Sequence, residues 1–197
     1  MIIFIIVFEI KFERGVVMGK KVLIISTSLR VGANSEILAH ETEKGAKDAG
    51  HEVEFITLKD KNIAFCKGCM ACQKLGKCVI NDDANEITQK MKNSDVIVWV
   101  TPVYYYEMSG QMKTVIDRAN SLYTSGFNFR DIYVITTSAD GSPNVVQTVL
   151  NGLQGWCACL PGTSIKGFVN GAGLENPNDA AKRSDLLQKA YNMGKNM

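Results

Sequence analysis

The 197-residue chain is 46% hydrophobic and 21% charged, with a formal net charge of +2. A chain of this kind is globular and long enough to bury one sizeable core. The near-neutral balance and scattered lysines, with no basic run interleaved with aromatics, point away from nucleic acid as a partner.

The chain opens on Met1-Ile-Ile-Phe-Ile-Ile-Val-Phe8, an apolar run closed at once by Glu9, Lys11, Glu13 and Arg14. It falls well short of the roughly 20 residues that span a bilayer. It also lacks the basic n-region and small-residue cleavage site of a signal peptide. Residues 1–17 are therefore expected to be an extension outside the core, with Met18-Gly-Lys-Lys a more usual start. Residues 18–197 are expected to form a single domain, cytoplasmic, without membrane association and with its thiols reduced.

From Lys21 onward, buried strands alternate with amphipathic helices. Val22–Ile25 is a short continuous apolar run, as a parallel strand covered on both faces requires. The helix after the polar stretch Ser26–Asn34 carries Leu38, Thr42, Gly45, Ala46 and Ala49 on one stripe, and Gly50 stops it. His51–Leu58 reads as a second strand. A capping-box-like start at Asp83, with that aspartate as the cap, opens a helix with Ala84, Ile87 and Met91 inward. Val96–Val100 is the third strand, followed by a helix carrying Met108, Met112, Val115, Ile116, Ala119 and Leu122. Ile132–Thr136 is the fourth strand. The helix after it carries Val146, Val149, Leu150, Leu153, Trp156 and Leu160. Ser164–Val169 is the fifth strand, and a last helix is predicted from Asn176-Pro177.

Five strands alternating with five helices imply an α/β, doubly wound parallel sheet. In such sheets a ligand sits off the carboxyl ends of the strands, where the winding reverses. Three loops are thereby singled out: Ser26–Asn34, Pro102–Glu107 and Thr137–Asn144.

The cysteines make a second pattern. Cys66, Cys69, Cys72 and Cys78 are spaced C-x2-C-x2-C-x5-C, so that one short loop can aim four sulfurs at a common centre. A [4Fe-4S] cluster is the favoured reading. Structural zinc prefers two C-x2-C pairs with a longer spacer, and disulfides do not suit a reducing compartment. A loop whose cysteines merely pack is the other alternative. Cys157 lies on the apolar stripe of its helix and reads as core, whereas Cys159 has no assignment. His40 and His51 read as solvated polar residues.

In Ser26–Ser35, hydroxyls, the Arg30 guanidinium and helix N-terminal amides make a site suited to a phosphate dianion. Neither the nucleoside triphosphatase nor the dinucleotide glycine fingerprint is present. No Ser/His/Asp set or carboxylate pair supports hydrolysis.

Taken together, these motifs resemble the flavodoxin-like NAD(P)H-dependent FMN reductase superfamily, in its iron-sulfur flavoprotein branch, over roughly residues 21–170. Ser28, Arg30, Gly32 and Asn34 match its phosphate loop, with Thr27 and Leu29 departing from it. Pro102-Val103-Tyr104 matches the flavin loop, and Gly110 to Asp117-Arg118 the helix behind it. The four cysteines followed by Asp82-Asp83 match the compact cysteine motif. Tyr106 stands where many relatives have a small residue.

The resemblance implies a three-layer α/β/α sandwich with strand order 2-1-3-4-5. It implies FMN held by Ser28, Arg30, Asn34 and Ser35 at the phosphate. Pro102, Val103, Tyr104, Tyr105 and Tyr106 would lie along the isoalloxazine, and Ser138, Ala139, Asp140 and Gly141 on the far side. It implies an FMN-dependent oxidoreductase fed by NAD(P)H or reduced ferredoxin. The electrons would pass through a [4Fe-4S] cluster, or directly, to a quinone-like or other small acceptor. A homodimer or homotetramer is also implied. A clusterless FMN or quinone reductase and a non-enzymatic electron carrier are the alternatives. Asp117 and Arg118 are expected to form a structural ion pair or helix cap.

Overall fold

The computed structural model describes residues 19–197, so the expected extension at 1–17 lies outside the described residues. Strands β1 (Lys21–Ser26), β2 (Glu52–Thr57), β3 (Val96–Tyr104), β5 (Asp131–Ser138) and β6 (Ser164–Ala172) run parallel in the order β2-β1-β3-β5-β6. Counted alone, these five strands have the expected order 2-1-3-4-5. A two-residue strand, β4 (Glu107–Met108), adds an antiparallel pairing to β3.

Successive strand residues point to opposite faces, so an apolar run feeds two cores at once. Leu23, Ile25, Ile97, Trp99, Ile132 and Val134 face one side and pack on α3 (Asp83–Asn93), α4 (Gly110–Arg118) and α6 (Val146–Ala158). Val22, Ile24, Val98, Val100 and Ile135 face the other, beneath α1 (Asn34–Asp48) and α7 (Ser184–Lys195). Helices α1 and α7 cross closely: a Cβ at Gly45 would lie 2.0 Å from the Tyr191 carbonyl oxygen, and one at Gly194 2.0 Å from that of Thr42. Cys157 is buried in the first core, as expected.

Several boundaries differ from the sequence reading: β3 runs on through Tyr104, into the expected loop, and β6 to Ala172. Asp82, not Asp83, caps α3, accepting from the Ala84 amide. Met108 lies in β4 rather than in a helix. The helix behind it ends at Arg118 and continues as a 3-10 turn and then α5 (Leu122–Ser125). The final helix begins at Ser184 instead of Asn176-Pro177. Asn34 explains the last difference. Its Nδ2 donates to the carbonyls of Leu174 (3.2 Å) and Asn176 (2.8 Å), and its Oδ1 accepts from the Ala180 amide (3.0 Å). These bonds hold 174–180 in an irregular path with Asn178 left-handed (φ 65°).

Candidate functional site

Where β1, β3 and β5 end, the strands change from apolar to hydroxyl-bearing. Ser26, Thr27, Thr101, Thr136, Thr137 and Ser138 are all buried. The Thr27 hydroxyl reaches the Val100 carbonyl at 2.9 Å and the Ser109 hydroxyl at 2.9 Å. The Ser109 amide donates to Thr101 Oγ1 at 3.0 Å, and the Ser109 hydroxyl caps α4. Packed hydroxyls thus form a rigid polar floor at the switch point.

Above it lies a cavity of about 180 Å³ lined by Ser28, Arg30, Asn34, Ser35, Pro102, Val103, Tyr104, Ser138 and Ala139. Three separated stretches of sequence are thereby brought to one place, as the strand-end rule predicts. Ala33, Thr137, Leu174 and Glu175 line it as well. The last two come from the loop after β6, another strand end that the same rule could have flagged.

The chemistry of this cavity suits a phosphate. The cap of α1, Ala33, offers no side-chain acceptor; its carbonyl takes the Glu36 and Ile37 amides, which leaves the Asn34 and Ser35 amides without a partner within the helix. Ser35 lies in that turn, and its buried hydroxyl has no hydrogen-bond partner. Arg30 is held nearby, its Nη2 donating to the Glu175 carbonyl at 3.0 Å and its amide to the Ser28 hydroxyl at 3.3 Å. Gly32 is left-handed (φ +66°), and a Cβ there would sit 3.0 Å from the Asn178 amide oxygen. Orphan donors beside a fixed cation form an anion cradle. The Asn34 side chain is instead committed to 174–180, so only its backbone could join the cradle.

Tyr105, Tyr106, Asp140 and Gly141, expected along the flavin, are not among the residues lining the cavity. Tyr105 (φ 49°) and Tyr106 (φ 63°) form the two-residue link between β3 and β4, with Tyr104 paired to Glu107. Such hairpins usually take Asn-Gly because both residues need positive φ. A bulky residue there costs about 1–2 kcal/mol. Two bonds hold Tyr106 in place: its carbonyl accepts from the Thr148 hydroxyl, and its own hydroxyl donates to Asp140 Oδ2 at 2.9 Å. The Ser142 amide and the Tyr106 hydroxyl together hold the Asp140 carboxyl below the usual carboxylate range. The hydrogen bond to Asp140, helped by its charge, in turn raises the Tyr106 phenol.

The cysteine loop lies between β2 and α3 and contains α2 (Ala71–Leu75). Gly68, Met70 and Gly76 are left-handed, which folds the loop back on itself. Cys66 and Cys69 are exposed; Cys72 and Cys78 are half-buried. The Gly68 amide donates to the Cys66 sulfur and Asn120 Nδ2 to the Cys72 sulfur, each at 3.4 Å. Four thiolate donors on one turn-rich loop are a suitable set for an iron-sulfur cluster. The expected convergence is not seen, however. Among the described residues, no three His, Cys, Asp or Glu side chains stand close enough to share a metal ion. Each sulfur follows its local anchor instead: Cys72 sits on α2 and Cys78 on the loop stem. Cys159 lines a cavity of about 640 Å³ together with Cys66, Tyr123 and Trp156.

Asp117 and Arg118 do not pair with each other. Asp117 meets Lys113 on the surface at 2.6 Å, whereas buried Arg118 forks onto both carboxylate oxygens of Asp82 at 2.6 and 2.7 Å. Burial works against the Asp82 charge, but Arg118 and the Ala64 and Ala84 amides outweigh it and hold its pKa low. His40 is exposed and stacks on Phe55, as a solvated residue can. His51 is half-buried, its Nδ1 accepting from the Lys20 amide at 3.1 Å.

The family model described as NADPH-dependent FMN reductase matches residues 20–172. An iron-sulfur flavoprotein of Methanocaldococcus jannaschii is 33% identical over 182 residues, covering 89% of this chain and 94% of the relative. An iron-sulfur flavoprotein of Archaeoglobus fulgidus is 36% identical over 174 residues, covering 86% of this chain and 78% of the relative. The solved NAD(P)H:quinone oxidoreductase from Methanothermobacter marburgensis shares the fold with a TM-score of 0.72. It is 14% identical, and the match covers 90% of this chain and 96% of that one.

Proposed function

Since the chain belongs to the NADPH-dependent FMN reductase family, in its iron-sulfur flavoprotein branch, and is an FMN-dependent oxidoreductase, we propose how its residues divide that work. Ser28, Arg30 and Ser35, with the first amides of α1, hold the FMN phosphate. Pro102, Val103 and Tyr104 carry the isoalloxazine edge, with Ser138 and Ala139 opposite. FMN held by these residues would supply the redox chemistry, hydride uptake from a nicotinamide and onward transfer of one or two electrons. The chain's part is to bind it, orient it and present backbone donors to the charge that reduction creates.

In this reading NADH or NADPH is the donor, with reduced ferredoxin as the other possible source. A quinone-like or other small molecule is the acceptor, and a homodimer or homotetramer is the working form. Cys66, Cys69, Cys72 and Cys78 hold a [4Fe-4S] cluster, which would have to draw the four sulfurs together. The names of the relatives and the donor set support this assignment. The single observation carrying the flavin assignment is the unpartnered Ser35 hydroxyl beside uncapped helix amides and Arg30.

FMN and riboflavin titrations test it, because only FMN carries the phosphate. FMN should bind far more tightly; equal affinities would refute the cradle. Iron and sulfide quantified per chain after anaerobic purification test the cluster. A clusterless reductase is the second reading, favoured by the spread of the four sulfurs. FMN at one per chain without iron would establish it.

A further inference from the structure

The Asp117-Arg118 motif at the end of α4 remains without a role in flavin chemistry, yet Arg118 is among the most deeply buried side chains, 1% exposed. Its position is specific. Nη1 donates to the Ala64 carbonyl at 2.7 Å, and Nη2 to the Ile80 carbonyl at 3.2 Å, while both reach Asp82. Ala64 lies two residues before Cys66 and Ile80 two residues after Cys78, so one guanidinium grips the incoming and outgoing stems of the cysteine loop.

Asp82 completes the knot by accepting from the Ala64 amide at 2.9 Å. Asp83 accepts from the Asn62 amide at 2.6 Å, and Asn85 Nδ2 donates to the Cys78 and Ile80 carbonyls at 3.3 and 2.9 Å. The loop itself has little to hold it. α2 is five residues long and buries none of them, and Phe65, Met70, Leu75 and Val79 are exposed. A segment without a core of its own takes its conformation from its base.

We propose that Arg118 is a positioning residue for the cysteine loop, fixing the register of its two stems so that Cys72 and Cys78 are presented in one arrangement. The idea rests on reading that loop as the cluster-bearing element. Its planar fork is what matters: a lysine carries the same charge but cannot bond two carbonyls and a carboxylate at fixed angles. The rival is a buried ion pair that serves only stability. Such a pair can be exchanged for apolar residues of similar volume with little loss. A clamp cannot, because the Ala64 carbonyl and amide lose their partners and the Ile80 carbonyl keeps only Asn85.

The full-length chain is compared with Arg118→Lys, with the double variant Arg118→Met/Asp82→Leu, and with Asp117→Asn as an exposed neighbouring control. Thermal midpoint and FMN affinity are measured first. Next come the labelling rates of Cys72 and Cys78 by a disulfide reagent, resolved by peptide mass spectrometry, and the iron and sulfide content after anaerobic reconstitution. In the double variant the midpoint should fall, since the α3 cap and both partners of Ala64 go with the pair, while FMN affinity should stay within about two-fold. Cys72 and Cys78 should label about ten-fold faster, the effect of losing one buried charge-assisted hydrogen bond. Iron uptake should fall in step, and Arg118→Lys should share the faster labelling.

Wild-type labelling rates in a folded double variant would overturn the proposal. Should that variant not fold, wild-type rates in Arg118→Lys would overturn it equally. A wild-type chain that takes up no iron would instead defeat the cluster reading, and the labelling rates alone would then decide the role of Arg118.

Discussion

The Tyr106 hydroxyl donates to Asp140 Oδ2 at 2.9 Å, joining the hairpin after β3 to the loop after β5. The stretches just before them, Pro102–Tyr104 and Thr137–Ala139, both line the cavity. The bond therefore sets the spacing of two walls without entering the cavity. It also helps to keep a left-handed tyrosine in a turn that tyrosine does not favour.

Tyr106→Phe removes the bond and leaves the ring. FMN affinity is expected to fall by about two- to five-fold, the usual effect of one solvent-facing hydrogen bond. The sign of the pH dependence follows from the shifts. Asp140 is depressed, so its contribution is present above the ordinary aspartate pKa and is lost as pH falls through the folded value. Tyr106 is raised, so its contribution is lost only as pH climbs through its own folded value. The difference between wild type and Tyr106→Phe should be constant from about pH 4 to about pH 10. Stopped-flow FMN dissociation checks this; a difference that changed across neutrality would assign the effect to another group.

Arg30 and Ser35 should act on the phosphate alone. Arg30→Ala is expected to weaken FMN binding by about ten- to hundred-fold, the range for a charge-assisted bond. Ser35→Ala should weaken it less, because the wild-type hydroxyl lacks a partner in the protein itself. Riboflavin affinity should be unchanged in both. Fluorescence-quenching titrations with the two flavins read this out, and equal losses for both would move the phosphate elsewhere.

The sheet was legible because its central strands β1, β3 and β5 carry continuous apolar runs, a pattern set by burial on both faces, while the edge strands β2 and β6 mix polar and apolar residues. The site was legible as far as strand ends and short local motifs reach. What escaped depends on partners distant in sequence. Nothing near Asn176-Pro177 reveals that Asn34, 142 residues earlier, holds that segment out of a helix. Leu174 and Glu175 were missed with it. The Tyr105-Tyr106 hairpin carries no turn residue, and only the Thr148 and Asp140 bonds explain it. The partner of Arg118 was misread because its carboxylate lies 36 residues back, while Asp117 stands adjacent. The cysteine spacing showed that four sulfurs share a loop, but spacing does not specify where each side chain is anchored.

The α1–α7 crossing gives a stability prediction independent of cofactor. A methyl at Gly45 or Gly194 would meet backbone, which cannot swing aside as a side-chain tip can. Gly45→Ala and Gly194→Ala should each destabilise the fold by about 1–3 kcal/mol, the range for overpacking, despite the better helix propensity of alanine. Gly155→Ala, on α6 with open space around it, should cost nothing or stabilise slightly. Urea unfolding of the three variants checks the contrast. Equal midpoints would mean that the two helices can part without loss.

Asn34 links stability and flavin binding in one side chain. It is buried and makes three bonds to the segment that carries Glu175, whose carbonyl holds Arg30. Asn34→Ala leaves the Leu174 carbonyl and the Ala180 amide unpaired and the Asn176 carbonyl with only the Asp179 amide, a loss of about 2–3 kcal/mol. FMN affinity should fall with it, since Arg30 loses its fixed rest while the phosphate loop keeps every hydroxyl. Asn34→Asp separates the two effects. Its carboxylate could still accept from Ala180 but would face the Leu174 and Asn176 carbonyls, which repel a negative charge. The aspartate pKa should therefore rise, and the variant should recover stability relative to wild type as pH falls and a proton restores one donor. Urea midpoints at pH 5 and pH 8 for the three proteins measure it. A deficit in Asn34→Asp that did not shrink at the lower pH would mean that repulsion by the carbonyls is not what destabilises it.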